Sequence, residues 1–298
     1  MTTKKIYSAV AAVFAVTYAY NLFWFFKSLI EFSNYGFQFS FFIRYIPTFA
    51  GITGLIIFAS SQFKRSNLLR IMMCLEVMSF PFLLFWYYQF FTKTYGPFDQ
   101  PPQLNWTFYV GVAINIALFL SSIIGLRMLS FNKTANLVYI EYGNERTAQF
   151  SPAPAGLRFA NRLVDAVVIV YILLTNLASF QAFERMYDDM EPAVFFILEI
   201  PFLFFYYIIL EGIFNTTAGK CATGTTIVNA SGERPNFGQI LGRTFCRLIP
   251  FEPFSFFGAE ARGWHDSIPN TYVVESINKE DLEMNEFTLD AELENVLL

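Results

Sequence analysis

"TFYVGVAINIALFLSSIIGLRML", residues 107–129, runs for twenty positions before its first charge, Arg127. An α-helix rises about 1.5 Å per residue, so a run of this length matches the ~30 Å hydrocarbon core of a bilayer. Its one strongly polar side chain before Arg127 is the amide of Asn115, half-way along. Only a helix or a closed barrel keeps every backbone group bonded inside lipid. The unbroken apolar run, without period-two alternation, reads as a helix.

The rest of the chain agrees with that reading. Of 298 residues, 55% are hydrophobic, 19% aromatic and 15% charged, and 38 are phenylalanine. A soluble domain carries about 25% charged residues. Five further apolar runs stand out: "IYSAVAAVFAVTYAYNLFWFF" at 6–26, then 41–60, 71–91, 163–183 and 193–214. The first is longer than a signal-peptide core and ends in a Trp/Phe belt, so it reads as a retained helix. After Phe214 no stretch is long and apolar enough to cross again.

Charge sets the orientation. With the N-terminus in the cytoplasm, sixteen Lys and Arg fall on inside segments and four (Lys27, Arg44, Lys93, Arg185) on outside ones. The expected architecture is an all-α integral membrane protein with six transmembrane helices and both termini cytoplasmic. A small strand/turn and interfacial-helix element follows the last helix. The expected divisions are 1–130, a four-helix transmembrane region; 131–154, a cytoplasmic linker; 155–275, a second domain of two helices and a membrane-face segment; and 276–298, an acidic tail. The net charge of −4 is concentrated locally in that tail and indicates no nucleic-acid footprint.

Residues 155–275 carry a set of ordered motifs. In "RFANRLVDAVVIV" Arg158 precedes Asp165 by seven residues, two helical turns, on nearly the same face. "GWHDSIPNTYVV", 263–274, places Asp266 far downstream, beside His265, the chain's single histidine. This combination resembles the RDD family of small bacterial membrane domains, named for one arginine and two aspartates. Arg158, Asp165 and Asp266 match the name-giving positions. Tyr207, Glu211, the Thr217-Ala218-Gly219-Lys220 turn, Gly232, Arg243 and Thr271 fit the remaining pattern. Asn161 departs from it, standing where such domains often have a small apolar residue. The resemblance implies a bacterial inner-membrane location and, because some members are linked to ion exchange, a connection with cations. It does not extend to residues 1–130.

A charge in mid-membrane costs about 2.5–3.5 kcal/mol, so each intramembrane polar residue asks for a reason. Asp165, Asn176, Glu199 and Glu211 form one candidate ion or proton pathway, with Glu76 and Asn115 in the third and fourth spans. The alternative for Asp165 is a pair with Arg158 or Arg162 that fixes helix depth. Glu199, two residues before Pro201, reads equally as an ion ligand or a protonated structural group. Lys220, Arg243, His265 and Thr271 are candidates for structural docking, with Asp266 pairing an arginine such as Arg243 to tether the strand "TYVV". On such a strand His265 and Asp266 would point opposite ways.

"TTAGKCATG" lacks the Walker pattern, since Asn215 stands at the earlier Gly position and Cys221 follows Lys220. It reads instead as a tight turn with Lys220 at the headgroup level. "FGQILGRTFCRLIPFEPFSFF" is a candidate interfacial segment, broken by Pro250 and Pro253. No nucleophile elbow or set of metal ligands accompanies His265, so no catalytic, cofactor-binding or metal site is expected and the chain does not read as an enzyme. Cys74, Cys221 and Cys246 lie far apart as separate thiols. Two functions lead, a monovalent-cation or proton transporter, and an accessory or scaffold subunit partnered in the bilayer by another membrane protein or a second copy; an intramembrane enzyme is the weakest third reading.

Overall fold

The computed structural model describes residues 3–32, 39–92, 105–142, 145–149, 152–177, 192–249, 252, 255 and 263–279; side chains at 138–149, 192–199 and some helix ends lie outside this description. Six long helices stand where the apolar runs predict them: α1 Thr3–Phe32, α2 Phe39–Ser60, α3 Asn67–Thr92, α4 Trp106–Phe131, α5 Ala155–Leu177 and α6 Pro192–Phe214. Within them Lys4–Ile30, Phe42–Ser60, Asn67–Tyr88 and Trp106–Phe131 are long and apolar enough to cross a membrane. Large apolar side chains such as Phe23, Ile56, Leu84 and Ile124 lie exposed on these helices, as lipid-facing residues do. This is a predominantly helical, multi-pass membrane protein.

The chain divides into two compact units: residues 1–126 with 166–199, and 127–165 with 200–298. In the first, hydroxyls inside the helices are satisfied locally, as a dry environment requires. Thr17 donates to the Val13 carbonyl at 2.9 Å, Ser122 to Leu118 at 2.8 Å and Thr175 to Tyr171 at 2.7 Å. Gly51 lets α2 close on α1: a Cβ there would stand 2.1 Å from the Tyr18 ring. Tyr171 donates to the Ile43 carbonyl at 3.2 Å, joining α5 to α2.

The second unit contains the strands. β1 Lys133–Ala135, β4 Thr225–Asn229 and β5 Thr271–Asn278 form an antiparallel sheet in the order β1-β5-β4. Asn229 pairs with Thr271, Thr225 with Glu275 and Lys133 with Asn278. A separate hairpin joins β2 Val138–Tyr142 to β3 Glu145–Gln149. The stretch expected to be a plain linker therefore holds three strands, and one of them is an edge of the C-terminal sheet. Three short helices complete the unit: α7 Ala218–Thr223, α8 Phe237–Cys246 and α9 Trp264–Ser267. The acidic tail from 280 onward lies outside the described residues.

α8 forms the first part of the interfacial segment, and Asn236 and Gln239 close a capping box at its start. Its arginine side is the buried one: Arg243 is fully enclosed while Phe237 and Phe245 are exposed. His265 and Asp266 lie on the single turn of α9, not on a strand, and both are buried.

Candidate functional site

The family-pattern residues converge in the second unit. Glu211, near the end of α6, is the hub and is fully buried. Its Oε1 accepts from Lys220 Nζ at 2.6 Å and Arg247 Nη2 at 2.7 Å; its Oε2 accepts from Arg243 Nε at 3.2 Å and Arg247 Nη1 at 3.3 Å. Three cations held by one carboxylate exceed a simple pair, and further anions complete the balance. Arg243 Nη1 reaches Asp266 and the Thr271 hydroxyl. Arg162 pairs with Glu252, which also bonds His265 Nδ1. The Arg247 guanidinium lies 3.8 Å from the centre of the Tyr207 ring, a cation–π contact that covers its face.

Asp165 sits beside this hub with other partners. It accepts from Tyr206 Oη at 2.7 Å, Thr217 Oγ1 at 2.8 Å and the Gly219 amide at 2.7 Å. An arginine is not among those partners, so the expected pair with Arg158 or Arg162 gives way to three neutral donors. Helix α5 begins eight residues before the apolar run at 163, which puts Asp165 near its middle. There the close approach of α7 supplies an amide and a hydroxyl to the carboxylate.

Gly219 makes that approach possible. A Cβ at this position would come 2.0 Å from the Asn161 carbonyl oxygen, a backbone atom that cannot step aside. Thr217 caps α7, accepting from the Lys220 amide at 3.3 Å, while its hydroxyl proton goes to Asp165. Asn161, the departure from the family pattern, has a role in the same contact. Its amide donates to Thr225 Oγ1 at 3.0 Å and its Oδ1 accepts from Thr223, joining α5 to α7 and the start of β4.

The electrostatics follow from the enclosure. Burial pulls Lys220 below the usual lysine range, against the attraction of Glu211. Burial would raise Asp266, but Arg243 and His265 outweigh it and bring the carboxyl down to about 2. Glu252 is likewise lowered: burial opposes, and the His265 bond, His265 charge and nearby arginines prevail. Burial lowers His265 from 6.5, with Arg247 and Arg243 acting in the same direction and Asp266 and Glu252 opposing.

All four oxygens of Asp165 and Glu211 accept bonds from protein donors. The void among Arg158, Asp165, Lys220 and Arg243 is only about 20 Å³, space for about one water beside the unbonded Arg243 Nη2. Lys220 is thus a buried partner of Glu211. This cluster clamps the elements after α6 onto α5 and α6.

The proposed line of pathway residues is not one line. Asp165 and Glu211 belong to the clamp. Glu199 lies on α6, but its side chain falls outside the described residues. Asn176 belongs to the first unit, where it lines a cavity of about 860 Å³ together with Asn21, Arg44, Glu76, Trp86 and Asn115. This volume falls within the roughly 300–1,000 Å³ of small-molecule sites. Asn115 Nδ2 donates to Tyr87 Oη at 3.3 Å across its wall. Glu76, by contrast, receives no hydrogen bond and forms no ion pair among the described residues. Sequence reading marked Glu76, Asn115 and Asn176 as polar oddities on separate helices; that they face one space needed the packing.

A membrane domain whose arginine and two aspartates are gathered at a buried clamp is what the fold and site define. The RDD family model matches residues 152–268, and this part of the chain is an RDD-family domain. Comparison with curated proteins and with solved structures gives no match.

Proposed function

We propose that this RDD-family membrane protein binds a cation in the cavity of its first unit and exchanges it across the membrane, with Glu76 as the receiving carboxylate. The observation carrying this reading is Glu76 itself: a carboxylate on an apolar helix, without a hydrogen-bond or ion-pair partner among the described residues, lining a cavity of about 860 Å³. An ionisable group left in that position marks an ion or substrate path more readily than a structural role. The amide and hydroxyl oxygens of Asn21, Asn115, Asn176 and Thr175 line the same space and offer the oxygen ligands that hard monovalent cations take. Trp24, Trp86 and Phe108 supply apolar walls.

The six-span arrangement with both termini cytoplasmic, in a bacterial inner membrane, belongs to this reading. Sixteen basic residues on one side against four on the other support it, as does the helix at each apolar run.

The test is cation–proton exchange in proteoliposomes with sodium, potassium or lithium under an imposed pH gradient. Wild-type protein exchanges at least one of them, and Glu76→Gln abolishes exchange in folded protein. Glu199→Gln, examined alongside, shows whether α6 contributes to the same path. Absence of exchange by wild-type protein with all three cations would reject the reading.

One observation favours a second reading, an accessory or scaffold subunit. The family residues Asp165 and Asp266 are bonded within the domain and hold its parts together. A scaffold needs that and no transport. Stoichiometric co-purification of another membrane protein, with no exchange activity, is its signature.

A further inference from the structure

A second cavity, of about 490 Å³, lies within the second unit between the last turn of α4, the end of α6 and the edge of the sheet. Four basic side chains line it, from four different elements: Arg127 on α4, Lys133 on β1, Arg234 in the turn after β4, and Lys279 just past β5. Among the described residues that line it there is no carboxylate. We propose that this cavity binds a phosphate group, and specifically the phosphate of an anionic phospholipid of the cytoplasmic leaflet.

The charge arrangement differs from that of the clamp. There Glu211, Asp266 and Glu252 are matched by cations; here Arg127, Arg234 and Lys279 share the lining of one open space. Burial and the neighbouring Arg127 charge both push the Arg234 guanidinium below its usual range. A phosphate would relieve that repulsion with charge-assisted hydrogen bonds. Arg234 is held in place from behind, since its Nη2 donates to the carbonyls of Gly212 at 2.9 Å and Ile213 at 3.0 Å, capping α6. Lys279 Nζ rests 3.9 Å from the centre of the Phe131 ring.

Four features favour a lipid headgroup over a free anion. Phe131, at the end of α4, is 74% exposed beside the site, an apolar contact that an acyl chain can cover. The site lies at the ends of two helices read as membrane spans. All four cations fall on the side that the charge asymmetry assigns to the cytoplasm, where anionic lipid concentrates. Asn215 Oδ1, in the same lining, is a buried acceptor without a bond and suits a headgroup hydroxyl.

The experiment uses the full chain in nanodiscs of phosphatidylcholine alone, of phosphatidylcholine with phosphatidylglycerol, and of phosphatidylcholine with added inorganic phosphate. Thermal unfolding and native mass spectrometry of retained lipid are the readouts. Phosphatidylglycerol raises the unfolding temperature and is retained, inorganic phosphate does neither, and Arg127→Gln weakens the lipid's affinity about fivefold. Arg127 is exposed and makes no ion pair among the described residues, so this variant leaves the fold intact. Lys279→Gln, at a separate element, gives an independent second reading. A shift with inorganic phosphate that both variants lose supports the phosphate site and assigns it to a free anion. No shift with either probe, or a phosphatidylglycerol effect unchanged in both variants, overturns the proposal.

Discussion

The two units handle intramembrane polarity in opposite ways. Around Glu211 each carboxylate oxygen has a donor, and the remaining void holds about 20 Å³. Around Glu76 there is a cavity of about 860 Å³ and, among the described residues, no protein donor bonded to it. Both are carboxylates on long apolar helices, and from the sequence they look alike. What separates them is the cation supply. Glu211 is followed within forty residues by Lys220, Arg243 and Arg247, on short helices that fold back against α6. Nothing comparable follows Glu76. A saturated carboxylate serves stability, whereas an unsatisfied one is available to a ligand.

The most severe way to break this contrast is to remove the hub. Glu211→Ala strands Lys220, Arg243 and Arg247 in a buried setting and is expected to cost about 3–5 kcal/mol. Unfolding in mild detergent measures it, and a loss below 1 kcal/mol would show that water already screens the cluster.

Asp165→Asn comes next. An amide cannot accept from Tyr206, Thr217 and Gly219 together, and hydrogen bonds to charged groups contribute about 1.5–3 kcal/mol. Because Asp165 has no arginine partner, adding Arg162→Gln is expected to deepen the loss by releasing Glu252, not to restore stability. Recovery in the double variant would reinstate the arginine pair.

Acid sharpens the comparison further. Asp266 titrates at about 2 in the folded protein against 3.8 ordinarily, so its contribution is complete above 3.8 and is lost as pH falls towards 2, roughly 2 kcal/mol in all. Glu252 has the same sign. His265, lowered from 6.5, also binds its proton more readily when unfolded, so stability begins to fall once pH drops below 6.5. A pH series of unfolding midpoints should therefore decline steadily on acidification. A rise between 6.5 and 5 would mean that Glu252 and Asp266 favour the imidazolium.

Glu76→Gln is the mildest change for stability. With no bonded partner to strand among the described residues, the effect is expected within about 0.5 kcal/mol, while exchange is lost. A large destabilisation would show that Glu76 is structural and would close the gap between the units.

The apolar runs determined the helices, because the cost of unpaired backbone in lipid is local and depends only on the composition and length of each run. Each of the six runs carries a long helix, and the ordered motifs from Arg158 to Thr271 were legible as one family domain. Proline did not obscure this, since Pro47, Pro81 and Pro201 lie inside helices. Partnership was not legible. Arg162 and Glu252 are ninety residues apart, Asp165 and Gly219 fifty-four. Choosing the amide of Gly219 over a nearby arginine depends on a close approach that only a residue without Cβ permits. Arg243 is buried on α8 because two carboxylates, Glu211 and Asp266, take the place of water around its charge, the second of them the partner its docking role suggested. The cavity of the first unit has no signal in any single helix. It exists only where side chains from α1 to α5 fail to fill the space between them, and that is decided by tertiary packing.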